Sequence, residues 1–340
     1  MNEINIIGGG LAGLSLALGL RRQGVPVTVH EAGNYPRHRV CGEFILGVSD
    51  ADLEALDLTQ PLADSLRHME TAWFCGNESI GSRPLPMAAR AISRFRLDER
   101  LAQRAKAAGA IVVCGNRLPA STEIGWVQAS GRVLAKEGKW LGLKAHYSGL
   151  PLHGGLEMHL GRGGYVGLTA VENGRVNVCA LLPAGGGGEK ATLLPRRLRE
   201  VGLTAVAERL ESAQVDVDSV TGVSHFNLGF QPARDDGGVI ALGDGHSMIP
   251  PFTGAGMSMA FEASARALPH LVNWAEGRLE WIETSRLVRQ VLRQHFVSRM
   301  RWAAVVHLAL LSPVGPQLLK AGVGWKWLPF NSLVRALRGA

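Results

Sequence analysis

The most constraining feature of this chain is a four-residue apolar run that breaks into glycines: Ile4-Asn5-Ile6-Ile7-Gly8-Gly9-Gly10-Leu11-Ala12-Gly13. Ile4 to Ile7 is too short for a helix and rich in β-branched side chains, which predicts a buried parallel strand. Gly8 permits the tight turn. Gly10 lets the backbone approach a pyrophosphate, and Gly13 lets the next helix pack closely on the strand. That helix is expected over Leu11 to Gln23, with Leu14, Ala17, Leu18 and Arg21 at helical spacing and Gly24 closing it. Its first turn, opening at Leu11 and Ala12, offers free N–H groups and a partial positive charge to phosphates. Val25 to His30 forms the second strand. Glu31 then stands where a carboxylate accepts from ribose hydroxyls. Strand, turn, helix, strand and acid in that order predict a dinucleotide site, and the acid favours an unphosphorylated ribose, as in FAD or NAD.

A second glycine motif chooses between those two. It runs Val239-Ile240-Ala241-Leu242-Gly243-Asp244-Gly245-His246 and continues through Pro250-Pro251-Phe252-Thr253-Gly254-Ala255-Gly256. Gly238 to Leu242 reads as a strand. An Asp at its end accepts from a ribityl hydroxyl, while Gly243 allows close approach of the backbone. Pro250, Pro251 and Phe252 make a rigid loop. Gly254, Ala255 and Gly256 open a helix that carries Met257, and its free N–H groups would face the pyrimidine edge of a flavin. A nicotinamide needs no such distant strand end, so the two motifs together predict FAD. His246 follows the Asp-Gly turn closely and is a candidate acid–base group.

Composition limits the remaining classes. The chain has 340 residues, 46% hydrophobic, enough for a large core. Cys41, Cys75, Cys114 and Cys179 are widely spaced and form no ligand cluster, so neither a disulfide scaffold nor a metal site is expected. The strand begins almost at once, leaving no room for a signal peptide, and the expected compartment is the reducing cytoplasm. The formal charge is +7, and nine Lys/Arg with no acid fall between Thr284 and Ala340, so the excess sits in the tail. That tail also carries Trp302, Trp325 and Trp327. Cationic, aromatic and amphipathic, it suits either peripheral membrane contact or a helical cap over a substrate cavity. Its apolar runs are too short to span a bilayer, and Pro313 and Pro316 interrupt them. Nucleic acid is not an expected partner, because the basic residues are interleaved with apolar ones rather than arranged in a stripe.

Between the glycine motifs the texture changes twice. A short helix is expected from Asp50 to Leu56, capped by Ser49 or Asp50, and a strand from Arg67 to Cys75. Arg94 to Ala108 is an amphipathic helix with Ser93 as N-cap and Gly109 closing it. Ile111 to Cys114 and Trp126 to Ala129 are further short strands. From Lys139 to about Leu182 the chain is hairpin-like, with His146, Tyr147, His159 and Tyr165 as candidates to face a cavity. Gly185 to Gly188 reads as a break, and Leu193 to Arg209 as one helix. The expected class is α/β. A discontinuous Rossmann-like FAD-binding domain with a parallel sheet (1–70, 93–135 and 232–275) holds an inserted antiparallel β-sheet substrate layer (71–92 and 140–231). C-terminal basic amphipathic helices (276–340) follow.

Three groups of residues carry a family resemblance: the Gly8–Gly13 loop, Ser93-Arg94 with Leu97-Asp98, and Gly243-Asp244 with Pro250 and Gly254-Ala255-Gly256. Together they resemble the superfamily of FAD-dependent aromatic hydroxylases and geranylgeranyl reductases, whose best-known fold is that of para-hydroxybenzoate hydroxylase. Arg39-Val40-Cys41-Gly42-Glu43 looks more like the reductase branch, which carries a Cys-Gly pair beside the flavin. Cys41 to Phe44 with Met248 to Gly254 is similar to small bacterial flavoproteins associated with type III polyketide synthases and phenolic lipids. The resemblance covers about residues 1–275. It implies an FAD-dependent oxidoreductase of secondary metabolism, foremost a monooxygenase that hydroxylates a phenolic, lipidic or polyketide substrate through a C4a-hydroperoxyflavin. The alternative it implies is a reductase of prenyl or polyketide double bonds. It would set Arg39 and Arg94 on FAD, line the flavin edge with Cys41 to Glu43, and make Cys41 a catalytic candidate. Hydroxylases of this superfamily carry an Asp-Gly pair where this chain reads Ala129-Ser130-Gly131-Arg132. The resemblance implies NAD(P)H as electron donor, and this departure speaks against direct reduction by it and for a separate reductase or another external donor.

Overall fold

The computed structural model describes residues 1–133, 138–185, 188–231 and 238–312. Its first sheet has five parallel strands: β1 (Ile4–Ile7), β2 (Val27–His30), β6 (Ile111–Val113), β7 (Trp126–Gln128) and β14 (Ile240–Ala241), in the order β14-β7-β1-β2-β6. The helix α1 (Leu11–Arg22) joins β1 to β2 as expected, and Gly24 beyond its end takes a φ of 77°. Every α1 residue from Leu11 to Leu20 is buried. Each of its leucines contributes roughly 1.5–3 kcal/mol by leaving water, so this helix is core on both sides. One side meets the sheet. The other meets α6 (Gly256–Ala275), whose Ser264 hydroxyl donates to the Ala12 carbonyl at 2.8 Å.

The second sheet has eight strands. They are β3 (Phe44–Ile45), β4 (Leu66–Cys75), β5 (Glu78–Ala91), β8 (Trp140–Ser148), β9 (Leu156–Leu160), β10 (Tyr165–Ala170), β11 (Arg175–Pro183) and β12 (Gln214–Ser224), in the order β12-β8-β11-β10-β9-β4-β5-β3. It is antiparallel except where β4 runs parallel to β9. β3 and the first residues of β4 belong to this sheet although they precede residue 71. A small ladder pairs β13 (Gly229–Phe230) with β15 (Ser247–Met248).

Side-chain alternation divides the large sheet into two faces. Leu143, Ala145 and Tyr147 of β8 pack with Leu168, Val178 and Ala180 against the helices α4 (Lys190–Glu200) and α5 (Thr204–Glu211). The opposite face turns toward the parallel sheet, and its Met158, Leu160, Tyr165 and Leu181 share the main core with Ile6, Leu14 and Phe261. The single helix expected over Leu193 to Arg209 is two helices. Gly202, at a φ of 81°, ends the first in a left-handed residue.

The short helix α2 (Asp50–Ala55) and α3 (Arg94–Ala107) start where the sequence predicts. Ser49 accepts from the Asp52 N–H and Ser93 from the Arg96 N–H, each at 3.1 Å. The last element, α7 (Trp281–Leu311), buries Val288, Leu292, Phe296, Met300, Ala303 and His307 on one face. Glu262 of α6 ties it down, accepting from His295 at 2.7 Å and from Arg299 at 3.0 Å. Among the described residues no helix is long and apolar enough to cross a membrane. Part of the Gly185–Gly188 break, and Trp325, Trp327 and the last four basic residues of the tail, lie outside the described residues.

Candidate cofactor cavity

The two glycine motifs meet at one cavity of about 430 Å³ at the C-terminal ends of β1, β7 and β14. Crevices beyond the carboxyl ends of parallel strands are where this architecture binds ligands. Gly8, Gly10, Leu11 and Ala12 line one part; Gly243, Asp244, Pro251, Gly254, Gly256 and Met257 line another. Between them stand Glu31, Arg39, Cys41, Gly42 and Arg94. Gly13 and Ala255 sit behind the lining. A Cβ on Gly13 would lie 2.0 Å from the Gly8 carbonyl, and Ala255 is buried at the N-cap of α6.

Gly8 and Gly10 have different tasks. Gly8 adopts a φ of 108°, and a Cβ there would meet the Ala129 carbonyl oxygen at 2.3 Å. Its task is structural: it brings the β1 turn against the end of β7. A Cβ on Gly10 would meet nothing within 4 Å, and Gly10 N-caps α1 with no side-chain cap. The first N–H groups of α1 therefore face an open cavity with their partial positive charge. A pyrophosphate fits that cradle.

The acidic and basic groups form a connected network. Glu31 is buried and accepts from the Gly9 and Gly33 N–H groups at 2.8 and 2.9 Å, and from Arg37 and Arg39 at 2.5 and 3.2 Å. Burial pushes its carboxyl up, but Arg39, Arg37 and the two N–H groups outweigh that and hold it below the usual range. Arg39 also donates to Asp98 at 2.8 Å, and Arg94 grips the same carboxylate at 2.6 and 2.8 Å.

Asp244 contrasts with Glu31. Burial raises its carboxyl pKa, with Arg94 and Arg132 only partly offsetting the effect. Among the described residues its carboxylate takes no hydrogen bond. A half-buried acceptor that faces the cavity without donors fits a polyol hydroxyl, which is what a ribityl chain presents. Asp244→Ala should weaken FAD binding by about 10- to 100-fold, the worth of a hydrogen bond to a charged group. Apoprotein stability should hold. Fluorescence titration with FAD and a thermal melt check both.

The two candidate catalytic residues are placed differently. Cys41 lines the cavity, with its sulfur 3.5 Å from the Glu43 N–H and its carbonyl accepting from Asn177 at 2.9 Å. Burial pushes its thiol up, which Arg94 only partly offsets, so the group is a neutral thiol rather than a nucleophilic thiolate. His246 is not brought to the cavity lining. It lies against Phe230 and Phe296 and contacts the Ser247 hydroxyl at 3.1 Å. Burial, with Arg293 nearby, lowers its pKa to about 4. The turn of Gly243–Gly245 carries the chain past the lining before residue 246.

Of the four residues expected to face a cavity, His146 and Tyr165 lie on the sheet face toward the parallel domain. Tyr147 packs into the α4–α5 core, and His159 pairs with Glu157 at 2.7 Å on that same rear face. Sequence reasoning missed the charge cluster behind Cys41. Glu43 is fully buried at a φ of 58° and receives His146 at 2.6 Å, Lys144 at 3.2 Å and the Arg94 N–H at 3.0 Å. Lys144 is also fully buried, and its Nζ lies 3.1 Å from His38. The available signal was a lysine and a histidine two apart in an otherwise apolar strand, which puts both on one face.

Comparison with known proteins agrees with this geometry. A protein-family description, the NAD(P)-binding Rossmann-like domain, matches residues 6–40. A menaquinone reductase of Mycobacterium tuberculosis is 29% identical over 117 residues, covering 33% of this chain and 29% of that protein. The chain thus matches under a third of that curated relative's length. Three solved structures share the fold. The flavin-dependent brominase Bmp2 has a TM-score of 0.78 at 15% identity, covering 100% of this chain and 94% of that one. The p-nitrophenol 4-monooxygenase PnpA of Pseudomonas putida has a TM-score of 0.74 at 15% identity, covering 100% and 99%. A geranylgeranyl bacteriochlorophyll reductase-like protein of Thermoplasma acidophilum has a TM-score of 0.74 at 15% identity, covering 98% and 95%. The chain has the fold of flavin-dependent monooxygenases and geranylgeranyl reductase-like proteins, as the sequence resemblance implied.

Proposed function

We propose that this protein is an FAD-dependent oxidoreductase, foremost a monooxygenase acting on a phenolic small molecule. One observation carries the reading: two glycine motifs more than two hundred residues apart line a single cavity, with Asp244 lacking a donor in one part and the α1 N-terminus open in another. The N–H groups of α1 would hold the pyrophosphate, and Arg39 and Arg94 the adjoining phosphate and ribityl oxygens. Glu31 would hold the adenosine ribose, at the cost of part of its present pairing. Asp244 would hold the ribityl chain, and the N–H groups of α6 beyond Gly254 to Met257 the pyrimidine edge. Bound there, FAD supplies two-electron redox chemistry and, once reduced, reactivity toward dioxygen. The chain's contribution is orientation and exclusion of water: Phe44, Ile249 and Ala260 make the lining apolar beside Cys41 and Gly42. Ser130 and Arg132 line the cavity where related hydroxylases carry an Asp-Gly pair, which supports an external electron donor beside NAD(P)H.

A specific observation favours a second reading, reduction of a quinone or a prenyl or polyketide double bond. A sequence relative over a third of the chain is a menaquinone reductase, and Cys41-Gly42 stands in the lining. Peripheral membrane contact remains part of either reading in a cytoplasmic protein, supported by Trp302, Val305 and Leu308 exposed along α7.

The experiment is to load the protein with FAD, reduce it without air, and divide it. One half receives labelled dioxygen with an alkylphenol, and the other an anaerobic naphthoquinone. One labelled oxygen in a hydroxylated product supports the monooxygenase. Anaerobic quinone reduction alone moves the assignment to the reductase. Failure to take up FAD overturns both.

A further inference from the structure

A row of three polar side chains crosses the inserted sheet behind the Cys41–Glu43 turn. Asn177 of β11 stands opposite His146 of β8, and His146 stands opposite Asp216 of β12. Residues directly opposite one another project from the same face of a sheet. Two of the three hold buried lone pairs with nothing to accept. His146 is 1% exposed. Its Nε2 meets the Glu43 carboxylate at 2.6 Å, and its Nδ1 has no hydrogen-bond partner among the described residues. A carboxylate partner makes Nε2 the protonated nitrogen, so Nδ1 is an acceptor. Asn177 is fully buried. Its Nδ2 donates to the Cys41 carbonyl at 2.9 Å, and its Oδ1 is likewise without a partner. Adjacent buried acceptors without donors cost stability unless something electropositive joins them.

His38 covers the row. Its ring stacks on Phe95 at 4.6 Å and stands edge-on to His146 at 5.2 Å, between centroids. One ligand-type atom from each of His38, His146 and Asp216 lies within 4.8 Å of the other two. The backbone holds Asp216 in place. The pairing of β12 with β8 shifts between Asp216 and Thr221. Fully buried Ser219 pins that irregularity, accepting from the His146 N–H at 2.7 Å and donating to the Asp216 carbonyl at 2.6 Å. Strand irregularities of this kind re-aim side chains.

We propose that His38, the Nδ1 of His146 and Asp216 bind one divalent transition-metal ion of the zinc class, with the Asn177 amide oxygen beside them. Two imidazoles select against magnesium and calcium, which take oxygen ligands. Glu43 is the outer partner such a site uses: a carboxylate on the far nitrogen orients the ring and raises its basicity. A tetrahedral zinc ion with bonds of about 2.0–2.2 Å sets its ligand atoms about 3.4 Å apart. The remaining approach falls to His38 and Asp216, which are half-buried and give the ion its way in. Lys144 is the cation nearest the row, 3.1 Å from His38 Nδ1, and Glu43 at 3.2 Å offsets its charge. Arg175 pairs with Asp216 at 3.4 Å on the exposed side, a contact weak enough to yield. The ion would clamp the segment that carries Arg39, Cys41 and Gly42 of the cavity lining onto the inserted sheet.

The test titrates the tag-free full chain, stripped by a chelator, with Co²⁺ and follows visible absorption. One equivalent should give the intense bands of a tetrahedral site, without the sulfur charge-transfer band that Cys41 or Cys179 would add. Zn²⁺ should displace it and Mg²⁺ should not. By calorimetry, His38→Ala and Asp216→Asn should each weaken Zn²⁺ binding at least about 10- to 100-fold, the effect of removing even an outer partner. Zn²⁺ should raise the Tm of the wild type and leave that of Asp216→Asn unchanged. Absence of the bands overturns the proposal. So does binding that survives in both variants, which assigns the ion to other side chains. If His38→Ala does not fold, Asp216→Asn and the wild-type spectrum decide. None of these readouts requires FAD, so the outcome is independent of what the cofactor cavity holds.

Discussion

Glu43→Ala should destabilise the protein by about 3–5 kcal/mol, the usual consequence of removing one member of a buried ion pair. In a domain of this size that is a fall in Tm on the order of 10 °C. Lys144 is fully buried and would be left with a neutral imidazole, His38, as neighbour. His146 would lose the contact at 2.6 Å, and the first N–H of α3 its acceptor at 3.0 Å. The backbone supports the same conclusion. Glu43 holds a left-handed φ of 58°, which costs a non-glycine residue about 1–2 kcal/mol and persists because the carboxylate is anchored. The double variant Glu43→Leu with Lys144→Met should recover much of the loss, since apolar replacement of a whole buried pair is often neutral. Chemical denaturation of the two single variants and the double measures the coupling. A coupling near zero would show the pair to be bystanders. The pair also has a pH signature. Burial pushes the Glu43 carboxyl up, but His146, Lys144 and the Arg94 N–H outweigh it and leave it depressed. A depressed carboxyl stabilises fully above its unfolded pKa, and that contribution is lost as pH falls through the folded value. The wild type should therefore shed this stability only on the acid side, below about pH 4, and Glu43→Gln should flatten that limb.

Gly10→Val should cut FAD affinity by about 10- to 100-fold, while the apoprotein melts within a few degrees of the wild type. The side chain would enter space where no protein atom lies within 4 Å. It meets the ligand rather than the fold, and overpacking against a pyrophosphate costs about 1–3 kcal/mol or more. Gly8→Ala should do the reverse. Its Cβ would press on the Ala129 carbonyl at 2.3 Å, at a φ that disfavours alanine. That variant should lose stability with or without cofactor. Melting curves of the apoproteins and fluorescence titration with FAD separate the two. Equal damage to folding by both substitutions would remove the distinction between a structural and a ligand-facing glycine.

Much of the fold is legible in the sequence, because it is local. The β1-α1-β2 unit, the Ser49 and Ser93 caps and the closing Gly24 each depend on residues a few positions apart. The failures also have physical reasons. One helix was expected over Leu193 to Arg209 because its apolar spacing runs on, whereas Gly202 needs only one left-handed residue to break it. His246 follows Asp244 closely in sequence, yet the intervening turn sets its ring against Phe230 and Phe296, which spacing alone does not reveal. Tyr147 and His159 depended on which face of a strand meets the parallel domain, and period-two alternation does not say which face that is. His307 lay in a stretch read as surface-bound or capping, and nothing in its spacing marks a histidine with both nitrogens unpaired.

The sequence by itself determined that this chain would build a nucleotide-binding turn and a second strand-end glycine motif. Those properties follow from steric freedom at glycine and from hydrogen bonds to the first turns of helices, which act over a few residues. Only the tertiary structure decided that the two motifs share one cavity, that Glu43 finds Lys144 across a hundred residues, and that His146 stands opposite Asp216. Those outcomes depend on which sheet faces and helix faces are buried together, a choice made by the whole core and not by any one segment.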